Sequence, residues 1–305
     1  MSGPTPGKVA GMAAGSWWER CNDGVRSLHE TGWDEGTSVL SQDICELLVD
    51  VDTAFTVIGA HTPEWPNPYK DGSDLNETAY ERSTDPEKYL IVVARAQAWT
   101  QVLLDRGWAR EASPVQWALR PSESGGTDTV LEPVTGVAVP LVLTTHTPVD
   151  SNHPFNISIA AGDPAVCLAS IPDCACDGCD RGSAAPLEEM DKWVLSVVDG
   201  SLQVEVTADY SSIRTSFGAQ RSTVQYLDEP TSFTATPWPT NWRQRPLASP
   251  ITVQRHPEPP FPRTVFGTAA RGAYRRLSGK PKVEGASQIY RSTDVQKTPG
   301  RTNRR

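Results

Sequence analysis

Residues 167–180 read CLASIPDCACDGCD and hold four of the chain's six cysteines, three of them as Cys174-Ala-Cys176-Asp-Gly-Cys179. The runs before this stretch, FNISIA at 155–160 and AVCLAS at 165–170, are short and apolar, as strands are. After it, Leu187, Met190, Val194, Val197 and Val198 recur at helical spacing, with Ser183 placed as an N-cap. Asp199-Gly200 then turns the chain into Leu202-Gln-Val204-Glu-Val206, an alternating strand. Strand, sulfur-rich turn, helix and strand in that order predict a mostly antiparallel sheet with one inserted helix.

Working back towards the N-terminus, VAVPLVLTT at 137–145 and VQWAL at 115–119 extend the strand series. Two helices precede them. In the first, from about 41 to 59, Ile44, Leu47, Leu48, Val51, Phe55 and Ile58 form one stripe between Ser41 and Gly59. The second runs from about 85 to 105, with a T-x-x-E capping box at Thr84 and Glu87 and Pro86 just inside the start. Between the helices, HTPEWPNPYKDG at 61–72 carries three prolines among aromatics and must be a stiff loop. Towards the C-terminus, 213–217 and 223–227 are expected to continue the sheet, and Trp238 and Trp242 to clasp the core edge. The fold class is therefore α+β, with two N-terminal helices, a mostly antiparallel sheet and an inserted helix.

The expected organisation is a flexible N-terminal segment over 1–37, one globular α+β domain over 38–244, and a basic Pro/Arg-rich disordered tail over 245–305. A short helix around Trp17 to Leu28 is the one element foreseen in the first segment. Charge divides along the same boundary. Residues 243–305 hold 14 Lys+Arg against 3 Asp+Glu, a balance of +11, which leaves the preceding residues at 14 against 34, or −20. That tail has the electrostatics for a nucleic acid or another acidic partner, with Tyr274 and Tyr290 available to stack on bases. No run approaches the ~18 apolar residues of a membrane span, and the N-terminus has no continuous apolar core of a signal peptide. The expected compartment is the cytoplasm, where clustered thiols are metal ligands more often than disulfides.

Three readings of the cysteines stay open. Structural zinc would use Cys174, Cys176 and Cys179, with Cys167, His146, His153 or an Asp of the turn as fourth ligand. Cys176 and Cys179 have a two-residue gap, Gly178 offers backbone freedom, and Cys174 converges with them only if Ala175 bends the chain. Asp173, Asp177 and Asp180 weigh against an already anionic site. Thiol or metal-dependent catalysis needs a lowered thiol pKa or an open metal position, and those carboxylates would push the thiols upward. The third reading is a surface turn that binds nothing. His146 and His153 near Asp150 are expected to be solvated, and Asp50/Asp52 and Glu188/Glu189 to be helix-surface charge. No H-E-x-x-H, P-loop, G-x-S-x-G or dinucleotide motif is present.

HTPEWPNPY (61–69), STDPEKYLIVVARAQAW (83–99), PLVLTTHT (140–147) and PDCACDGCDRGS (172–183) together resemble a family of uncharacterised actinobacterial proteins known only as a domain of unknown function. The likeness covers roughly 40–245 and implies no activity, ligand or catalytic residue. Its hallmark is Cys-x-Cys-x-x-Cys, which leaves Cys167 and the Arg-rich tail outside the shared pattern. The resulting expectation is a non-catalytic binding or accessory module whose cysteine turn is tied by zinc.

Overall fold

The structure, a computed structural model, describes residues 15–32, 37–69, 77–123, 125–148, 150, 153–224, 227 and 229–248. All of these belong to one compact unit, Met1–Ile251. Of the tail expected over 245–305, residues 245–248 are described, and Arg245 is buried with Nη1 at 3.1 Å from Asp199 Oδ2; the rest of the tail with its nucleic-acid contacts lies outside the described residues, as do positions 1–14.

Among the described residues, four α-helices and ten strands make up the fold, which is α+β. Helix α1 is Trp17–Thr31, α2 Gln42–Ile58, α3 Leu90–Asp105 and α4 Ala184–Val198. Strands β1 Ala109–Ala112, β2 Trp117–Leu119, β3 Thr127–Pro133, β4 Leu141–His146, β5 Asn156–Ala161 and β6 Ala165–Ile171 form a sheet of order β1-β3-β4-β5-β6-β2. Every pairing in it is antiparallel except β2 with β6. Strands β7 Leu202–Val206, β8 Tyr210–Thr215, β9 Gly218–Thr223 and β10 Thr231–Thr234 form a second, antiparallel sheet of order β10-β7-β8-β9. One sheet was expected where there are two, and of the strand expected over 223–227, Thr223 ends β9 while residues 225 and 226 lie outside the described residues.

Alternation assigns the two faces of the first sheet. Leu141, Leu143, Ile157 and Ile159 join the main core with Ile91, Trp99, Val194 and Val198 of the helices. Val142 and Ala160 point the other way into a small cluster with Trp117 and Val130. On that second face lie Asn156 and Ser158, buried and polar in the central strand β5.

Helix α1 is the helix foreseen around Trp17 to Leu28 within the segment read as flexible, and it runs to Thr31. Ser16 and Glu19 form a capping box, Gly32 closes the helix in the left-handed region (φ 68°), and Trp17 and Trp18 are buried. The Trp17 indole N–H donates to Asp191 Oδ2 at 2.9 Å, and Trp99 donates to Oδ1 at 2.7 Å. Arg95 adds Nε at 2.8 Å and Nη2 at 2.6 Å to the same carboxylate. Arg95 and Asp191 are 3% and 1% exposed at their side chains, so each polar atom needs a partner, and each has one. Asp50 and Asp52 are exposed on α2, as expected of helix-surface charge; Asp52 takes the remaining Arg95 nitrogen at 2.7 Å and Asp50 pairs with Arg106.

Candidate metal centre at the cysteine turn

Strand β6 ends at Ile171, and residues 172–183 cross to α4 with a single 3-10 turn at Asp177–Cys179. The sulfurs do converge. Cys174 Sγ comes to 3.2 Å from Cys176 Sγ, and the three sulfurs of Cys174, Cys176 and Cys179 lie within 4.8 Å of one another. Cys174 and Cys179 are exposed and Cys176 is half-buried, so the cluster sits at the surface. Cys167 is not brought to it. That thiol lies in β6 and points to the Ala169 carbonyl at 3.8 Å, and burial pushes its pKa up to about 11.

Two of the turn's three acidic residues, Asp177 and Asp180, are held by hydrogen-bond and cationic partners from outside the sulfur cluster. Asp177 accepts from Arg82 Nε at 2.8 Å, from the Thr84 backbone N–H at 2.8 Å and from the Thr84 hydroxyl at 2.5 Å. Thr84 therefore spends its hydroxyl on the turn, and the capping box expected with Glu87 does not form; a 3-10 turn, Pro86–Tyr89, leads into α3 without a side-chain cap. Asp180 accepts from Lys88 Nζ at 2.7 Å, from the Trp65 indole N–H at 2.9 Å and from the Gly182 N–H at 2.8 Å. Burial raises both carboxyls, but hydrogen bonds from Thr84 and Arg82 to Asp177, and from Lys88, Trp65 and Gly182 to Asp180, outweigh it. Both are held below the usual range.

The proline-rich loop supplies the other half of the seat. Ser183 was expected to cap α4; instead its hydroxyl and backbone N–H engage the Trp65 carbonyl at 3.2 and 3.0 Å. The Trp65 ring meets Tyr89 edge-on, centroids 5.5 Å apart, with the Lys88 ammonium 5.3 Å from the Trp65 centroid. Two glycines are required here. At Gly182, φ is +80° and a Cβ would stand 2.5 Å from the Asn67 backbone nitrogen. Gly178 is needed for space rather than for backbone freedom, because a Cβ there would stand 2.7 Å from the Tyr80 ring.

The sulfurs shape one another's protonation. Burial slightly opposes it, yet the neighbouring thiols and the N–H groups of Cys179 and Gly178 pull Cys176 below the ordinary thiol value. Cys179, donating to Cys176 and Cys174, is pushed up to about 12. Burial raises the Tyr89 phenol, and the Asp180 carboxylate and the three sulfurs add to the shift. Three thiols converging on one point, with Asp177 and Asp180 engaged by other partners, fit a tetrahedral thiophilic ion. Sulfurs on zinc stand roughly 3.7 Å apart, so the closest pair would open by about half an ångström.

The other candidates fall elsewhere. His153 Nδ1 and Asp150 Oδ1 are 2.8 Å apart, and both side chains are more than half exposed. His146 is not a solvated loop residue. It is 5% exposed at the end of β4, with Nε2 at 2.9 Å from Ser158 Oγ. Glu189, read as helix-surface charge, is half-buried and lines the cavity beside Cys174 and Cys179. No helix among the described residues is long and apolar enough to cross a membrane.

No curated protein and no solved structure matches the chain. Residues 51–252, which take in the proline-rich loop, α3, both sheets and the cysteine turn, match the Family of unknown function (DUF6226), and the chain belongs to that family.

Proposed function

We propose that the chain is a cytoplasmic, non-catalytic binding or accessory module whose turn is tied by structural zinc on Cys174, Cys176 and Cys179. The observation that carries this reading is the convergence of three sulfurs within 4.8 Å on a turn already fastened from both sides. Asp177 and Asp180 hold the backbone through Arg82, Thr84, Lys88 and Trp65, so little ordering remains for the ion to impose. Three thiolates around a dication carry a net single negative charge, and the surface position lets water complete the coordination. Cys167 has no part in this reading, because its thiol faces Ala169 and Ser170.

Catalysis by the same thiols is less well supported. A nucleophile needs a depressed pKa that a cation or helix start maintains, and here the one lowered thiol leans on its sister thiols. Elemental analysis of purified full-length chain tests the proposal, with about one zinc per chain expected. Chelation should lower the melting temperature, and Cys176→Ser should abolish both the zinc and the chelator's effect. Metal-free protein whose melting is indifferent to added zinc would overturn it.

A further inference from the structure

A second cavity shares Asp173 and Glu189 with the one beside the sulfurs of the turn. A cleft of about 930 Å³ opens where β2 and β6 of the first sheet meet β8 and β9 of the second, with α4 along one wall. Gln220 of β9 ties the two sheets together there, its side-chain amide donating to the Leu168 carbonyl at 2.9 Å. Trp193 and Glu189 stand four residues apart on one face of α4 and both line the cleft. Asp173, Ser170 and Cys167 line it from the β6 side. Glu189 and Trp193 also line an adjoining cavity of about 440 Å³, so the space continues along the helix.

The hydrogen-bond direction at Ser170 follows from groups well behind it. His146 Nδ1 lies 3.2 Å from the Gly125 carbonyl and 3.9 Å from the Glu123 carboxylate, and neither group can donate. In the neutral imidazole Nδ1 is therefore the protonated nitrogen, and Nε2 must accept. The hydroxyl 2.9 Å from Nε2 belongs to Ser158, which then donates to it. Ser158 in turn is 3.1 Å from Ser170 Oγ, and with its own proton committed it accepts the Ser170 proton. Ser170 then lines the cleft with the Cys167 thiol beside its oxygen. The strand register makes this possible, since Ser158 stands directly opposite Ser170 on β5 and β6.

The cleft thus offers a hydroxyl acceptor, two carboxylates and an aromatic wall. Arg120 is the cation on its lining among the described residues, and its guanidinium lies 6.0 Å from the Trp117 ring centroid. We infer that this cleft binds a small organic cation, an ammonium or amidinium carried on an apolar or aromatic body, with Trp193 as the wall and Glu189, Asp173 and Ser170 as acceptors. The inference stands independently of any metal at the cysteine turn.

Calorimetric titration of the full-length chain with benzamidinium, and in parallel with benzoate, tests it. Saturable binding of benzamidinium with none of benzoate is expected. Glu189→Gln should weaken benzamidinium by about tenfold, the loss of one charge-assisted hydrogen bond. Ser170→Ala should weaken it as well, and Cys174→Ser should leave it unchanged, separating this site from the metal. Absence of saturable benzamidinium binding, equal binding of benzoate, or indifference to Glu189→Gln in a variant that melts as a folded protein would each overturn the inference. The benzoate comparison needs no variant and decides the matter even if the substitutions fail to fold.

Discussion

Lys88 and Asp180 are 92 residues apart in the chain and 2.7 Å apart in space, with side chains only 16% and 8% exposed. This pair fastens the cysteine turn to the turn that leads into α3. It also sets an ammonium against the charge of one of the acidic residues that flank the thiols.

Replacing Lys88 with Met should therefore leave Asp180 largely buried without its cation. A loss of about 3–5 kcal/mol in urea unfolding is expected, the range for breaking a buried pair by removing one partner. A loss under about 0.5 kcal/mol, the level of an exposed surface pair, would show that the contact does not hold the turn.

The two glycines of the turn should respond unequally to alanine. At Gly182 a positive φ and a fixed backbone neighbour act together, and a loss of roughly 2–3 kcal/mol is expected. At Gly178 the obstacle is the Tyr80 ring, which is 52% exposed and can swing away, so the loss should stay near ~1 kcal/mol. Equal losses would contradict the distinction between backbone conformation and side-chain space.

Burial, reinforced by Asp173, raises the Glu189 carboxyl above its ordinary value against the pull of Arg181 and Lys192. The folded state therefore holds this proton more tightly than the unfolded chain does. The contribution to stability is greatest below the unfolded pKa of about 4.3 and is lost as pH rises through the higher folded value. Glu189→Gln lacks that titration. Its melting temperature relative to wild type should climb with pH above about 4.3 and level off beyond the folded pKa. A difference independent of pH would refute the burial of this carboxyl.

Much of the architecture was legible from residue spacing. Helices α2 and α4, and strands β5, β6 and β7, follow from apolar periodicity because each buries a face that its own sequence must supply. Strands β1, β3 and β10 went unread. AREA at Ala109–Ala112 and TSFT at Thr231–Thr234 carry little apolar signal and exist because a neighbouring strand pairs with them. Helix α1 was underestimated because its anchorage is a hydrogen bond from Trp17 to Asp191, 174 residues away.

By itself the sequence determined the α+β alternation, the place of the turn between strand and helix, and the three thiols held within six residues of one another. These are local matters, set by periodicity, turn chemistry and short spacings. Only the tertiary structure decided which groups face the sulfurs and which do not. Thr84 serves Asp177 rather than its own helix, Lys88 and Trp65 take Asp180, and Cys167 stands apart. A carboxylate's influence depends on where its partner stands, and the partners here come from residues about 90 to 115 positions away in the chain. The cleft of Ser170, Glu189 and Trp193 has the same origin, since its walls are brought together only when the two sheets meet across α4.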